Sequence, residues 1–178
     1  MVLLVSMALI GFLLQHPSTN STVALPPIST WHTYPNSIGR LSVAFPGEPT
    51  RSSELDTLDG VQVQTSFLLW GNATSTSDAT VVLEVTWSDY PVGHLSGQDP
   101  TSFFDAKQAT DVAANWTLVS SREMSICGGA GREVTQSRSG VTVTLRECIV
   151  GDRWYVVAAG GTDTASAQVF LDSFQAYP

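Results

Sequence analysis

Short segments in which apolar and polar residues alternate are the feature of this sequence that most constrains its fold. They recur between positions 41 and 159, separated by glycine, proline and aspartate turn residues. A period of two is typical of strands that bury one face, and turns this short join antiparallel neighbours. We therefore expect seven strands, at Leu41–Phe45, Val61–Trp70, Ala79–Trp87, Leu118–Ile126, Arg132–Ser137, Val141–Val150 and Arg153–Ala159.

Two segments replace this alternation with helical spacing. In the first, Asp99 is the predicted N-cap, Pro100 suits the first helical position, and the helix is expected to end near Asn115. In the second, Thr162 is the predicted N-cap. This order predicts an α+β fold, an antiparallel sheet of about seven strands flanked by two main helices. The residues at helical spacing are Phe103, Ala106, Thr110, Ala113 and Trp116 in the first helix and Ala167, Phe170, Leu171 and Phe174 in the second.

The region from about Trp31 to Tyr177 resembles the PsbP-like family, the α/β/α sandwich fold of the extrinsic photosystem subunit and of many exported bacterial proteins. The resemblance implies this fold and a non-catalytic role as an accessory or binding module. It carries no photosystem-binding residue over to this chain. It rests on the stretches Gly39–Pro49, Gly128–Glu133, Asp152–Val157 and Phe170–Phe174.

An apolar run without charges occupies residues 2–14. A helix of this length reaches about 20 Å, short of the ~30 Å hydrocarbon core, which is typical of the apolar region of a signal peptide. We expect a signal peptide or membrane anchor at 1–24, a Ser/Thr/Pro-rich tether at 25–38 and the α+β domain at 39–178. On this interpretation the protein is extracytoplasmic, secreted or tethered to the membrane through residues 1–14. An N-terminal core helix is the alternative.

The charge balance narrows the expected partners. The formal net charge is -8, with a pI near 4.6. Binding to nucleic acid needs clustered cations that displace counterions, so nucleic acid is not an expected partner. The expected partner is therefore a protein or a small-molecule ligand.

Cys127 and Cys148 are the two cysteines of the chain. In an exported protein an even pair predicts a disulfide. If residues 141–150 fold back on 132–137, Cys148 lies opposite positions 129–131, and the glycines after Cys127 allow the remaining gap to close. Two buried thiols are the alternative.

No motif in the sequence predicts a catalytic, cofactor or metal site. Gly128–Gly131 is followed by a strand pattern, whereas a phosphate cradle needs a helix there. Gly93–Gly97 has its serine out of place for a hydrolase elbow. The histidines, His16, His32 and His94, lack metal-site spacing.

Glu84 and Glu147 lie mid-strand among apolar neighbours. One interpretation is a carboxylate pair with raised pKa values. The other is that each faces solvent or pairs with Arg132 or Arg146.

The expected function is an exported or membrane-anchored, non-catalytic binding or accessory module without a cofactor. A small extracytoplasmic hydrolase-like enzyme and a structural envelope assembly factor are the alternatives. Sequons begin at Asn20, Asn72 and Asn115, and they would carry glycans only in a secretory pathway that reads them.

Overall fold

The computed structural model describes residues 25–72, 81–138 and 140–178. Within these ranges no helix is long and apolar enough to cross a membrane. The apolar run at 2–14 and the sequon at Asn20 lie outside the described residues. The helices are α1 (Pro100–Ala113) and α2 (Thr164–Ser173), and the strands are β1 (His32–Asn36), β2 (Leu41–Phe45), β3 (Thr50–Leu58), β4 (Val61–Asn72), β5 (Val81–Asp89), β6 (Thr117–Ile126), β7 (Gly129–Arg138), β8 (Val141–Val150), β9 (Arg153–Gly160) and β10 (Gln175–Ala176).

The main sheet has seven antiparallel strands in the order β3-β4-β5-β9-β8-β7-β6. A second sheet has the order β1-β2-β10. The predicted α+β class, a seven-stranded antiparallel sheet flanked by two helices, is confirmed. The strands that form the main sheet differ from the predicted ones. The segment 41–45 lies in the small sheet, and the unpredicted β3 forms an edge of the main sheet.

Part of the predicted tether is ordered structure. A 3-10 turn spans Ile28–Thr30, and β1 pairs with β2 over all five of its residues. Asn36 at the end of β1 is buried, and its Oδ1 accepts a hydrogen bond from the Gly39 amide at 2.8 Å. The described fold therefore begins before the predicted boundary at residue 39.

The small sheet and α2 cover one face of the main sheet. Phe45 packs against Phe170 with ring centres 5.2 Å apart, and Tyr155 packs against Phe174 at 5.8 Å. Asp163 is the N-cap of α2, since its carboxylate accepts a hydrogen bond from the amide of Ser166 at 2.9 Å. The N-cap predicted at Thr162 was therefore one residue early.

α1 covers the opposite face. Its start is as predicted, with Pro100 in the first turn and the Asp99 carboxylate accepting from the amide of Ser102 at 3.0 Å. It ends at Ala113, because Asn115 takes a positive φ of 69° and the amide of the next residue returns to Asp111 O.

The sheet-facing side of α1 differs from the prediction. Phe103 and Trp116 are buried as predicted, but Ala106 and Ala113 are exposed, and the unpredicted Phe104 is buried. From Phe104 the sheet-facing side continues through polar residues at helical spacing, which are Lys107, Gln108 and Asp111. The helix therefore places polar groups over the centre of the sheet.

Candidate functional site

A disulfide joins the β6–β7 turn to β8. Cys127 and Cys148 are bonded, with Cα atoms 6.3 Å apart, as the sequence predicted. Gly131 lies directly opposite Cys148 in the β7–β8 register, within the expected range of positions. The bond fixes the end of the β6–β7 hairpin to the middle of the sheet.

The glycine-rich segment has a packing role. Gly128 lies in the turn with a φ of 76°. A Cβ on Gly131 would clash with Ile126 Cγ2 and would lie 2.6 Å from Glu147 O, whereas a Cβ on Gly129 would meet nothing within 4 Å. Glycine at 131 therefore permits close approach of the neighbouring strand.

A groove of about 430 Å³ lies between α1 and the β6–β7 hairpin, a size typical of ligand pockets. Thr101 Oγ1 on α1 donates to Glu123 Oε1 on β6 at 3.4 Å. The buried Arg132 holds α1 to β7, with Nη1 2.7 Å from Asp105 Oδ1. The groove is lined by Thr101, Phe104, Glu123, Met124, Ser125, Gly129, Ala130 and Gly131.

Three exposed apolar side chains, Val112, Leu118 and Val119, lie on the last turn of α1 and the first residues of β6. The register shift between Leu118 and Ser120 leaves Val119 without a partner on β7, and its side chain is 59% exposed. β6 is an edge strand of the main sheet. We call these three residues together with the groove the α1–β6 surface.

Glu84 and Glu147 are both buried, at 7% and 4% exposure. Glu84 accepts a hydrogen bond from Thr86 Oγ1, and burial raises the pKa of its carboxyl to about 7. Glu147 accepts one from Trp154 Nε1 at 3.1 Å, and burial raises its pKa to about 8. Both carboxyls are buried with raised pKa values, as in the first of the two interpretations, and the alternative that they face solvent is wrong.

The arginines proposed as their partners bind other carboxylates. Arg146 Nε lies 2.8 Å from Glu133 Oε2, and its Nη1 lies 2.7 Å from Asp172 Oδ1. Arg132 binds Asp105, as described above. The register places Glu84 and Glu147 on the same sheet face with β9 between them, each with its own hydrogen-bond donor.

A small cavity under α1 adjoins Glu147. Its volume is about 10 Å³, the room that one water molecule needs. Asp111 accepts from Gln136 Nε2 at 3.3 Å, and burial raises the pKa of the Asp111 carboxyl to about 6. Gln108 Oε1 is buried and has no hydrogen-bond partner within the described ranges. The cavity is lined by Lys107, Gln108, Asp111, Val134, Leu145, Glu147, Trp154 and Val156.

Lys107 is held by aromatic rings and a carboxylate. Its Nζ lies 2.7 Å from Asp59 Oδ2, 4.8 Å from the centre of the Phe103 ring and 5.4 Å from that of Trp154. The Tyr90 hydroxyl donates to the same Asp59 oxygen at 3.1 Å. This cluster ties α1 to the β3–β4 turn.

The histidines and the Gly93–Gly97 segment form no catalytic arrangement in the described part of the chain. His32 is exposed on β1, and His94 stacks on Tyr90 with ring centres 5.3 Å apart. The Asp152 carboxylate accepts from the amides of residues 93 and 95, so it holds this segment as a loop. No group of three or more His, Cys, Asp or Glu side chains that could hold a metal ion occurs within 25–72, 81–138 and 140–178. His16 lies outside these ranges.

Sequence reasoning missed the polar side of α1 that carries Lys107, Gln108 and Asp111. The available signal was the helical spacing of these residues after Phe104. It was overlooked because an apolar stripe was expected to face the sheet.

No protein-family model matches this chain, and no curated protein does either. Among solved structures, the chain is similar to the solution structure of cyanobacterial PsbP (CyanoP) from Synechocystis sp. PCC 6803. The TM-score is 0.55 at 10% sequence identity, over 89% of this chain and 99% of that chain. At this identity the similarity shows the fold alone. The chain therefore has a PsbP-like fold, as its sequence resemblance implied.

Proposed function

We propose that the protein is an extracytoplasmic, non-catalytic binding module that engages a partner protein through the α1–β6 surface. The observation that carries this proposal is the position of the groove, which shares β6 with exposed apolar side chains on an edge of the main sheet. Exposed apolar residues beside a concavity are typical of interaction sites.

The chemistry of the surface favours a basic partner. Glu123 is exposed in the groove, and the chain as a whole carries a net charge of -8. Complementary charge speeds association and selects partners. The partner segment we propose carries apolar side chains for the Val119 end and a cation for the Glu123 end.

The disulfide supports the proposed extracytoplasmic location. Structural disulfides form and persist in oxidising compartments, and the bond between Cys127 and Cys148 is of this kind. Export through the apolar run at residues 2–14, with cleavage or retention as an anchor, completes this part of the proposal.

The burial of the two carboxyls favours a structural role for them over a catalytic one. Glu84 and Glu147 are each less than a tenth exposed, and the cavity beside Glu147 has room for water alone. We therefore assign the raised pKa values to the packing of the sheet and α1, and we propose no reaction.

Site-specific photo-crosslinking tests the proposal. A photoreactive residue at Val119 in the source cells should form a discrete adduct with one protein. The matched control is Leu55, which is 63% exposed on β3, the opposite edge of the main sheet. Equal adduct patterns at both positions would contradict the proposal.

A charge reversal tests whether the crosslink at Val119 reports specific binding or non-specific collision. Glu123→Arg should weaken the Val119 adduct because it places a cation beside the proposed cation of the partner. Glu54→Arg makes the same change on β3 and should leave the adduct unchanged.

A further inference from the structure

Glu147 belongs to a cluster of polar side chains between α1 and the sheet. It projects from β8 into the small cavity that Asp111 and Gln108 on α1 also line. We call Glu147, Asp111 and Gln108 the α1 cluster. Trp154 on β9 is the donor to Glu147, and Gln136 on β7 is the donor to Asp111.

The cations near the cluster are bonded to other groups. Lys107 is bound to Asp59, and Arg132 is bound to Asp105. A buried carboxylate without an ion-pair partner is costly, because desolvation disfavours its charged form. The charged or titratable groups on the elements around Glu147 are Asp105, Lys107 and Asp111 on α1, Arg132 on β7, Glu84 on β5 and Asp59 in the β3–β4 turn.

Gln108 adds a buried acceptor to the cluster. Its Oε1 is buried in the described structure without a donor. A buried acceptor left without a donor is costly. Two groups in this cavity can donate to such an acceptor, the O–H of a neutral Glu147 and a water molecule.

We propose that the α1 cluster is a proton-dependent clamp that holds α1 on the sheet while it binds a proton and loosens α1 when the proton is lost. Loss of the proton places two negative charges, on Glu147 and Asp111, in a cavity with room for one water. α1 is the element that moves, because it contributes Asp111 and crosses the sheet as a separate layer.

The pKa shifts of Glu147 and Asp111 are in the direction that this geometry requires. Burial raises the pKa of Glu147 to about 8, with the Asp111 charge adding to the rise and Arg132 opposing it. Burial raises the pKa of Asp111 to about 6, so near neutral pH the pair holds about one proton. The clamp is therefore closed at neutral and acidic pH and loosens as the pH rises through about 8.

The clamp and the groove are connected through α1. Thr101 and Phe104 form the α1 wall of the groove, and they lie about one to three turns before Gln108 and Asp111 on the same helix. The titration of the clamp does not depend on whether the groove binds a partner. Its failure and the failure of the proposed function are therefore distinguishable.

The Trp154 indole reports the proton directly. In the full chain labelled with ¹⁵N-tryptophan, the Trp154 indole resonance should shift with a midpoint near 8. Glu147→Gln should abolish that transition. Asp111→Asn should move the midpoint to lower pH, because it removes a charge that raises the Glu147 pKa. No transition between pH 6 and 9, or one that persists in Glu147→Gln, would overturn the proposal.

Amide hydrogen exchange tests the loosening of α1. With rates corrected for the intrinsic pH dependence of exchange, protection of α1 should fall about tenfold or more between pH 6 and 9. Protection of α2 should fall only as far as the global free energy of unfolding falls over the same pH range, and by less than that of α1. Glu147→Gln should keep α1 protected at pH 9, whereas Glu84→Gln, the same change on β5, should not. Equal loss of protection in α1 and α2 would show global destabilisation and overturn the clamp.

Discussion

Arg132 and Glu147 lie directly opposite each other on β7 and β8, yet their side chains bond to different elements. Arg132 reaches up to Asp105 on α1, and Glu147 accepts from Trp154 on β9. Arg132 therefore bonds across the contact between α1 and the sheet, whereas Glu147 bonds within the sheet. Burial raises the pKa of Glu147 by more than the guanidinium opposite it lowers that pKa.

Gly131→Ala should destabilise the protein because the added Cβ would lie 2.6 Å from the backbone oxygen of Glu147. A backbone atom in this position leaves little room for relaxation, and overpacking of this kind costs about 1–3 kcal/mol. Urea unfolding measures the loss. Gly129→Ala is the matched control, expected within about 0.5 kcal/mol of the original. Equal effects would contradict the close approach of β7 and β8.

Phe174→Ala should lower the free energy of unfolding by about 3–5 kcal/mol, since a buried aromatic ring is replaced by a cavity against Tyr155. Chemical denaturation checks this value. Val92→Ala, at a side chain that is 99% exposed, should change it by less than about 0.5 kcal/mol. A loss below ~1 kcal/mol at Phe174 would mean that the ring is not part of the core.

The double variant Cys127→Ala/Cys148→Ala should be less stable by about 3 kcal/mol, because the disulfide closes a loop with a separation of 21 residues and restricts the unfolded chain. Thermal unfolding with and without reductant provides the same comparison in the original chain. Two free thiols in unreduced protein from its native compartment would contradict both the disulfide and the proposed export.

Stability should be highest at about pH 4 and fall toward pH 8 and above. The pKa values of Asp111, Glu84 and Glu147 are raised to about 6, 7 and 8, so their contribution is full below about 4 and is lost as the pH rises through these values. Glu133 and Asp172 have pKa values lowered by their bonds to Arg146, and their contribution is lost as the pH falls below about 4. Urea midpoints from pH 3 to 9 trace the curve. A midpoint that rises steadily up to pH 9 would contradict the buried carboxyls.

Prediction from sequence succeeded where local chemistry is decisive. Asp99 and Pro100 mark the start of α1, and the alternation after residue 140 sets the β7–β8 register that brings Cys148 opposite Gly131. It failed at β3, whose residues are mostly polar because the strand is an exposed edge of the main sheet. It failed also on the side of α1 that carries Lys107, because the helical spacing of its polar residues does not by itself show that this side faces the sheet.

Affinity measured with the partner captured at Val119 tests the central claim most directly. We predict that the original chain binds this purified protein with an affinity that falls as salt rises, because the contact involves opposite charges. Glu123→Arg should weaken binding about tenfold or more, and Glu54→Arg should leave it unchanged. Equal affinities of the two variants would contradict the α1–β6 surface as the binding site.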